Sequence, residues 1–307
     1  MPKTLQYRPT LIDSLITQPR MSSYQTVFRP TNDIELMGVY LWNSHVCSSI
    51  YPLIGTAEVS LRNSIDRALT DALGEFWWTE SRLRYRSFAP GLDVPNVVRC
   101  VRDNFATAGS KYIAERRRRY NVRGHVVSNH HGVIAKTEFS TWQFLLDSEF
   151  MGRGLIWPRH LGRVFAGRWP DTQSSRALDF AYKLVATVRD FRNRIYHYEP
   201  AWKRFGVITE ADAIQYLREK ISTIERLLAL IHPENVNLLQ RNGLLRTAHR
   251  ACSSDEIRRF QHLAQTHTVN TLGDLAALVQ HSVARNRVLY ARLKGDGSGD
   301  RFSVSPH

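Results

Sequence analysis

Apolar residues recur every three or four positions from Ala177 through Ala181, Leu184, Val188 and Phe191 to Ile195. That interval places them on one face of an α-helix and on no single face of a strand, so it constrains the local fold more than any other feature of the chain. Pro200 disfavours helical torsions at Glu199, and the predicted helix therefore spans Asp171 to Tyr198. Its last turns fall in the stretch FRNRIYHYEP, Phe191 to Pro200.

The same period returns along most of the chain. Asn32 or Asp33 can cap a helix carrying Ile34, Met37, Leu41 and Ile50, and Pro52 is placed to interrupt or restart it. The stripe resumes at Leu53, Ala57, Leu61, Ile65 and Leu69 and stops at Gly74, a suitable helix end. Further helices are predicted over 97–120, from Ile134 to Phe150, over 210–231, after a capping box at Ser253–Glu256, and over 272–293. Residues 75–100 and 154–170 read as irregular connections broken by proline and glycine. No strand pattern and no internal repeat stands out, so the predicted fold class is all-α. Residues 1–31 read as a polar, proline-dotted N-terminal arm and 32–235 as the main helical domain. Residues 236–293 read as a helical C-terminal extension and 294–307 as a disordered glycine–serine tail.

Charge narrows the class of partner. Lysine and arginine number 42 against 28 acidic residues, a net charge of +14, and such an excess attracts polyanions, nucleic acid above all. Arg116, Arg117, Arg118 and Arg119 are consecutive near a predicted helix end and cannot all be buried. They read either as a solvated end favoured by the helix dipole or as an RNA-binding patch for phosphates. Three cysteines without CxxC spacing indicate neither a zinc knuckle nor a disulfide framework. His125, His130 and His131 share a loop, but no carboxylate or cysteine stands nearby at ligand spacing, so no metal site and no cofactor is predicted. MPKTLQYRPT lacks the apolar run of a signal peptide and no segment is long enough to span a membrane; the expectation is a soluble, cytoplasmic protein with no membrane partner.

Four RN dipeptides occur, at Arg62, Arg192, Arg241 and Arg285, and the residues five after each arginine are Arg67, His197, Arg246 and Tyr290. Only Arg192 is followed by a histidine at that spacing. Asn193 and His197 lie four apart on one helix face, with Arg189 one turn earlier. Arg192 is rotated from His197 by about 140° around the axis and flanks that strip. These residue types suit phosphodiester cleavage in RNA, which carries its own nucleophile in the 2′-hydroxyl. Histidine transfers protons near neutrality, arginine binds the phosphate through two donors, and asparagine orients the imidazole without adding charge. One histidine does not supply both acid and base, which calls for a second copy or a neighbour such as Glu199. The plain alternative is a capped helix end in which the histidine favours the negative pole.

FRNRIYHYEP resembles the RNRIxHHEP signature of the Abi-type (abortive infection, AbiD/AbiF-like) family of the HEPN superfamily. SSIYPLIGTAEVSLRNSIDRAL, Ser48 to Leu69, is similar to that family's N-terminal segment, which includes Glu58, Arg62 and Asn63; Glu58 and Arg62 lie four apart and can pair. FSTWQFLLDSEFMGRGLIWPRHLGRVF, Phe139 to Phe165, is similar to its central segment, so the resemblance runs over about 33–231. The signature's second histidine is Tyr198 here, STWQF lacks the family's glycine, and residues 236–307 fall outside the match.

The resemblance implies a HEPN-like helical bundle and a metal-independent endoribonuclease with Arg192, Asn193 and His197 as catalytic residues. Tyr198, Glu199 and Arg189 are accessory candidates. It further implies a homodimer or higher homo-oligomer, a role in bacterial phage defence or as a toxin, and an antitoxin protein or small RNA as a partner. A non-catalytic RNA-binding or sensor protein, or a dimeric interaction scaffold, is the alternative.

Overall fold

The structure, a computed structural model, describes residues 10–89, 91–121, 124–293 and 301–306. It is predominantly helical, as the periodicity predicts. A π-helical stretch, Thr10–Ile16, leads into α1 (Gln18–Phe28), where Pro19 sits in the first turn and its missing N–H interrupts no helix bond. Met21, Tyr24 and Phe28 are buried, so the described part of the expected arm is packed helix. Its apolar residues stand at helical spacing among prolines that mark helix starts as readily as loops; residues 1–9 lie outside the described residues.

α2 (Asp33–Leu73) passes through Pro52 as one helix. Proline offers no N–H to the carbonyl one turn earlier, but Val46, Ile50, Leu53, Ile54 and Ala57 are all buried around it, and this packing carries the helix across the break. Leu41, expected inward, is exposed, and Trp42 takes the buried position.

α3 (Asn96–Tyr120) follows the irregular 74–95 segment. The helix expected through Phe150 is instead broken into α4 (His130–Ile134), α5 (Phe139–Phe144) and a 3-10 turn at Ser148–Phe150, followed by α6 (Leu161–Val164). Every apolar residue of that reading is buried, but Thr137 Oγ1 donates to the Ile134 carbonyl and Asp147 accepts from the Glu149 N–H. Such local bonds compete with a continuous helix.

α7 (Ser174–Tyr196) and α8 (Glu210–Ile231) match the two strongest stripes. Short helices α9 (Pro233–Arg241), α10 (Leu244–Ala251) and α11 (Ser254–Phe260) come next, and Ser253 caps α11 by accepting from the Glu256 N–H. Then comes a departure from the all-helical reading. β1 (Thr266–Val269), α12 (Leu272–Arg285), β2 (Leu289–Leu293) and β3 (Arg301–Val304) form a small sheet with its helix. β1 pairs parallel to β2 with Val269 opposite Leu293, and β3 pairs antiparallel to β2 with Phe302 opposite Ala291. Val269, Leu278, Leu289 and Ala291 make its core, with Leu275, Phe302 and Val304 against it. The predicted helix over 272–293 thus ends at Arg285, and residues 301–304 of the predicted disordered tail are a strand; residues 294–300 and 307 lie outside the described residues.

The chain groups into two compact units. One holds the described residues up to Leu53, Asn193–Ser222 and those from Leu239 onward. Here Trp42 Nε1 donates to the Ala251 carbonyl at 2.8 Å, and Trp202 meets Tyr24 and Phe28 edge-on at centroid distances of 5.2 and 5.0 Å. Residues 239–293 therefore share a core with α1 and the start of α2. The other unit holds Ile54–Arg192 and Thr223–Leu238. Trp77, Phe105 and Trp142 pack at its centre, and the N–H groups of Ala166 and Gly167 donate to the carbonyls of Ile231 and Leu230, satisfying the end of α8. A Cβ at Gly167 would collide with the Ala229 carbonyl, so this close approach requires glycine.

Candidate functional site

The division between the units falls within α7, between Arg192 and Asn193. On one side, Arg192 is half-buried and its Nε stands 3.8 Å from a carboxylate oxygen of Glu58 on α2. Burial pushes the Glu58 carboxyl above its ordinary range, while the guanidinium groups of Arg192 and then Arg62 pull it back. Glu58 pairs with Arg192 and not with Arg62, whose Nε lies 3.5 Å from Asn63 Oδ1. The predicted pair within α2 is therefore replaced by one between α2 and α7, each of which carries an RN dipeptide. Arg189 does not extend the polar strip freely: it binds Asp190 at 2.9 Å and lies over the Phe144 ring.

On the other side, the helix ends in a defined way. The Tyr198 N–H donates to the Ile195 carbonyl at 3.1 Å and the Glu199 N–H to the Arg194 carbonyl at 3.0 Å. With Tyr198 at φ 56, these bonds form a Schellman motif in which His197 is the C-cap residue. The His197 N–H still donates to the Asn193 carbonyl at 3.0 Å, so Asn193 and His197 remain one helical turn apart. His197 is exposed, with the Tyr196 ring edge-on at 5.5 Å. Glu199, an accessory candidate, stands 3.6 Å from Arg194.

Tyr196 and Tyr198 line a cavity of about 530 Å³ together with Arg20, Tyr40, Asn43 and Cys47. The Arg20 guanidinium donates to the Tyr198 carbonyl, and Asn43 Oδ1 accepts from the Ala201 N–H at 2.9 Å, so this wall fixes the backbone on both sides of Pro200. Burial pushes the Cys47 thiol up to about 11. Arg20 carries no signal in the sequence, since it lies in the stretch that reads as an arm.

The remaining candidates sit elsewhere. Arg116, Arg117, Arg118 and Arg119 are exposed at the end of α3, where Arg116 and Arg119 flank the Tyr120 ring. Asp66, out of register with the histidine loop in the sequence, lies beside His130 and His131. His130 Nδ1 accepts from the Phe76 N–H at 2.9 Å, which puts the ring proton on Nε2, 2.9 Å from Asp66 Oδ1. Trp77 Nε1 donates to the same oxygen at 2.9 Å. Both His130 nitrogens thus have hydrogen-bond partners that tie it to Asp66 and to the Phe76 backbone, and the exposed His131 completes a group whose ligand atoms lie within 4.8 Å of one another and could hold a metal ion. Four arginines around another cavity, Arg84, Arg86, Arg102 and Arg153, belong to no motif that the sequence displays.

In comparison with known proteins, the chain matches no protein-family model, no curated protein and no solved structure. Among the described residues no helix is long and apolar enough to cross a membrane.

Proposed function

We propose that the protein is a metal-independent endoribonuclease of the HEPN type, similar to the Abi-like proteins of phage defence and toxin–antitoxin systems, acting in the cytoplasm. The observation that carries this reading is the end of α7, where Arg192, held by Glu58, directly precedes Asn193 and an exposed His197 at the C-cap.

The chemistry follows from these groups. The ribose 2′-hydroxyl attacks the adjacent phosphorus; the new 2′-O–P bond forms as the P–O5′ bond breaks, leaving a cyclic phosphate and a 5′-hydroxyl. An imidazole removes the 2′ proton and a second donor protonates the leaving 5′ oxygen. Arg192 neutralises the charge that grows on the non-bridging oxygens. Glu58 fixes the guanidinium and restrains it in the absence of phosphate. Asn193 positions the substrate or the imidazole from one turn below.

A single His197 provides one of the two proton-transfer groups. Glu199 stands against Arg194, so the second group comes from another copy of the chain in a homodimer or larger homo-oligomer. An antitoxin protein or small RNA would restrain the activity in the cell. A net charge of +14 supports RNA binding with or without cleavage, and the arginine–histidine pair favours cleavage.

The test is RNA cleavage in EDTA by the full chain beside His197→Ala and Arg192→Ala. His197→Ala should slow cleavage by about 100- to 10,000-fold. Arg192→Ala should slow it by about 100- to 1,000-fold. RNA binding without cleavage by the unaltered chain, and unchanged in both variants, would replace this reading with that of an RNA-binding protein.

A further inference from the structure

The segment Arg82–Arg86, RLRYR, alternates in burial: Leu83 and Tyr85 are buried while Arg84 and Arg86 are exposed. Two buried apolar anchors thus alternate with two exposed guanidinium groups. The segment is fixed at its end. The Arg86 N–H donates to the Glu149 carbonyl at 2.7 Å, and Ser87 Oγ donates to the Glu149 carboxylate at 2.7 Å.

Arg84 and Arg86 line a cavity of about 620 Å³ with Arg102, Arg153, Tyr85 and Phe88. Arg102 is spoken for, at 3.0 Å from Glu80. Among the described residues Arg84, Arg86 and Arg153 form no ion pair; the one carboxylate lining the cavity, Glu80, is the one paired with Arg102, so these three like charges are in excess around one space. Their mutual repulsion is relieved by an anion, and guanidinium forks bind phosphate oxygens in pairs. Phe88, 65% exposed, offers a flat apolar face on the same cavity, of the kind on which a base stacks. The volume falls in the range of small-ligand sites, about 300–1,000 Å³.

We propose that this cavity binds a phosphorylated nucleoside, with the phosphate among Arg84, Arg86 and Arg153 and the base on Phe88. The nucleoside is either a free nucleotide or one residue of an RNA strand. The site lies wholly within Ile54–Arg192 and does not depend on the ribonuclease reading.

Three probes test it on the full chain: adenosine diphosphate, inorganic pyrophosphate, and a short 2′-O-methylated RNA that lacks the attacking hydroxyl. Binding is measured by titration calorimetry, with circular dichroism to check the fold. The double variant Arg84→Ala/Arg86→Ala should weaken adenosine diphosphate or the RNA at least tenfold. Phe88→Ala should weaken the nucleotide several-fold and leave pyrophosphate unchanged. Binding of RNA but not of adenosine diphosphate assigns the site to a strand; binding of adenosine diphosphate alone assigns it to free nucleotide. If the double variant fails to fold, Arg153→Glu makes the same test from the opposite wall. Absence of binding by both nucleoside probes, or equal affinity before and after the arginine substitutions, overturns the proposal. Equal affinity for pyrophosphate and adenosine diphosphate that Phe88→Ala does not change overturns the nucleoside part.

Discussion

Arg192 Nε lies 3.8 Å from the Glu58 carboxylate, which joins the two RN-bearing segments of α2 and α7. The pair is half-buried, and burial outweighs the two nearby guanidinium groups, so the Glu58 carboxyl is pushed up. A carboxyl that holds its proton more tightly when folded favours the folded state at low pH. Its contribution is fully present below the unfolded value, about 4.3, and is lost as the pH rises through the folded value. Urea unfolding from about pH 4 to pH 7 should show the unaltered chain losing stability relative to Glu58→Gln as the pH rises. Parallel curves would mean that Arg192 fully offsets the burial of the carboxylate. In the cleavage assay the same substitution should lower activity less than Arg192→Ala, because it loosens the guanidinium without removing it.

Tyr198 occupies the left-handed position of the α7 end motif at φ 56, where glycine is the unstrained residue. A side chain there costs about 1–2 kcal/mol. Tyr198→Gly should therefore raise the thermal midpoint if strain dominates at this position. A lowered midpoint would mean that the tyrosine's packing along the cavity it shares with Arg20 and Tyr40 outweighs the strain.

The arginine run at the end of α3 is exposed, and Glu115 just before it is tied to Lys136. If Arg117 and Arg118 bind RNA phosphates, each phosphate neutralised releases counterions. For single-stranded RNA the slope of log affinity against log salt should become shallower by about 0.7 for each phosphate-binding arginine that is removed. Arg117→Ala/Arg118→Ala tests this by filter binding at several salt concentrations. An unchanged slope would reduce the run to a solvated helix end.

The parts of this fold that were legible in the sequence are the ones in which one residue pattern decides the outcome. Six apolar positions from Ala177 to Ile195 predict α7, and all six are buried. Pro200 and the positive φ at Tyr198 together close it within two residues of the expected end. The small sheet was hidden because its signals are weak one strand at a time. β1 is four residues, three of them exposed, and Leu289, the first residue of β2, falls eleven residues after Leu278, three turns on along one helical face. Only pairing between distant segments reveals it. RNRVLY, so close to RNRIYH, illustrates this: Arg285 ends α12, Asn286 turns left-handed at φ 46, and the chain continues into a strand. The Glu58–Arg192 pair was equally invisible, since spacing along α2 favoured Arg62 as the partner of Glu58. Long-range partners are set by packing, which periodicity does not encode.

The Asp66–His130 bond gives a prediction independent of RNA. His130 is 1% exposed and links three elements: it accepts from the Phe76 N–H, and its Nε2 donates to Asp66, which also accepts from Trp77. The Trp78 ring stacks on the imidazole at 4.9 Å. His130→Ala removes both bonds and leaves the part-buried Phe76 N–H and the Asp66 carboxylate each one partner short, a loss of about 2–4 kcal/mol at roughly 1–3 kcal/mol for each group left unsatisfied. Chemical denaturation of the full chain should show this as a fall in the midpoint. Because both imidazole nitrogens are already bonded, EDTA should leave the midpoint unchanged, and added zinc should not raise it. A zinc-dependent rise that disappears in His131→Ala would instead show that Asp66 and the two histidines release these bonds to hold the ion.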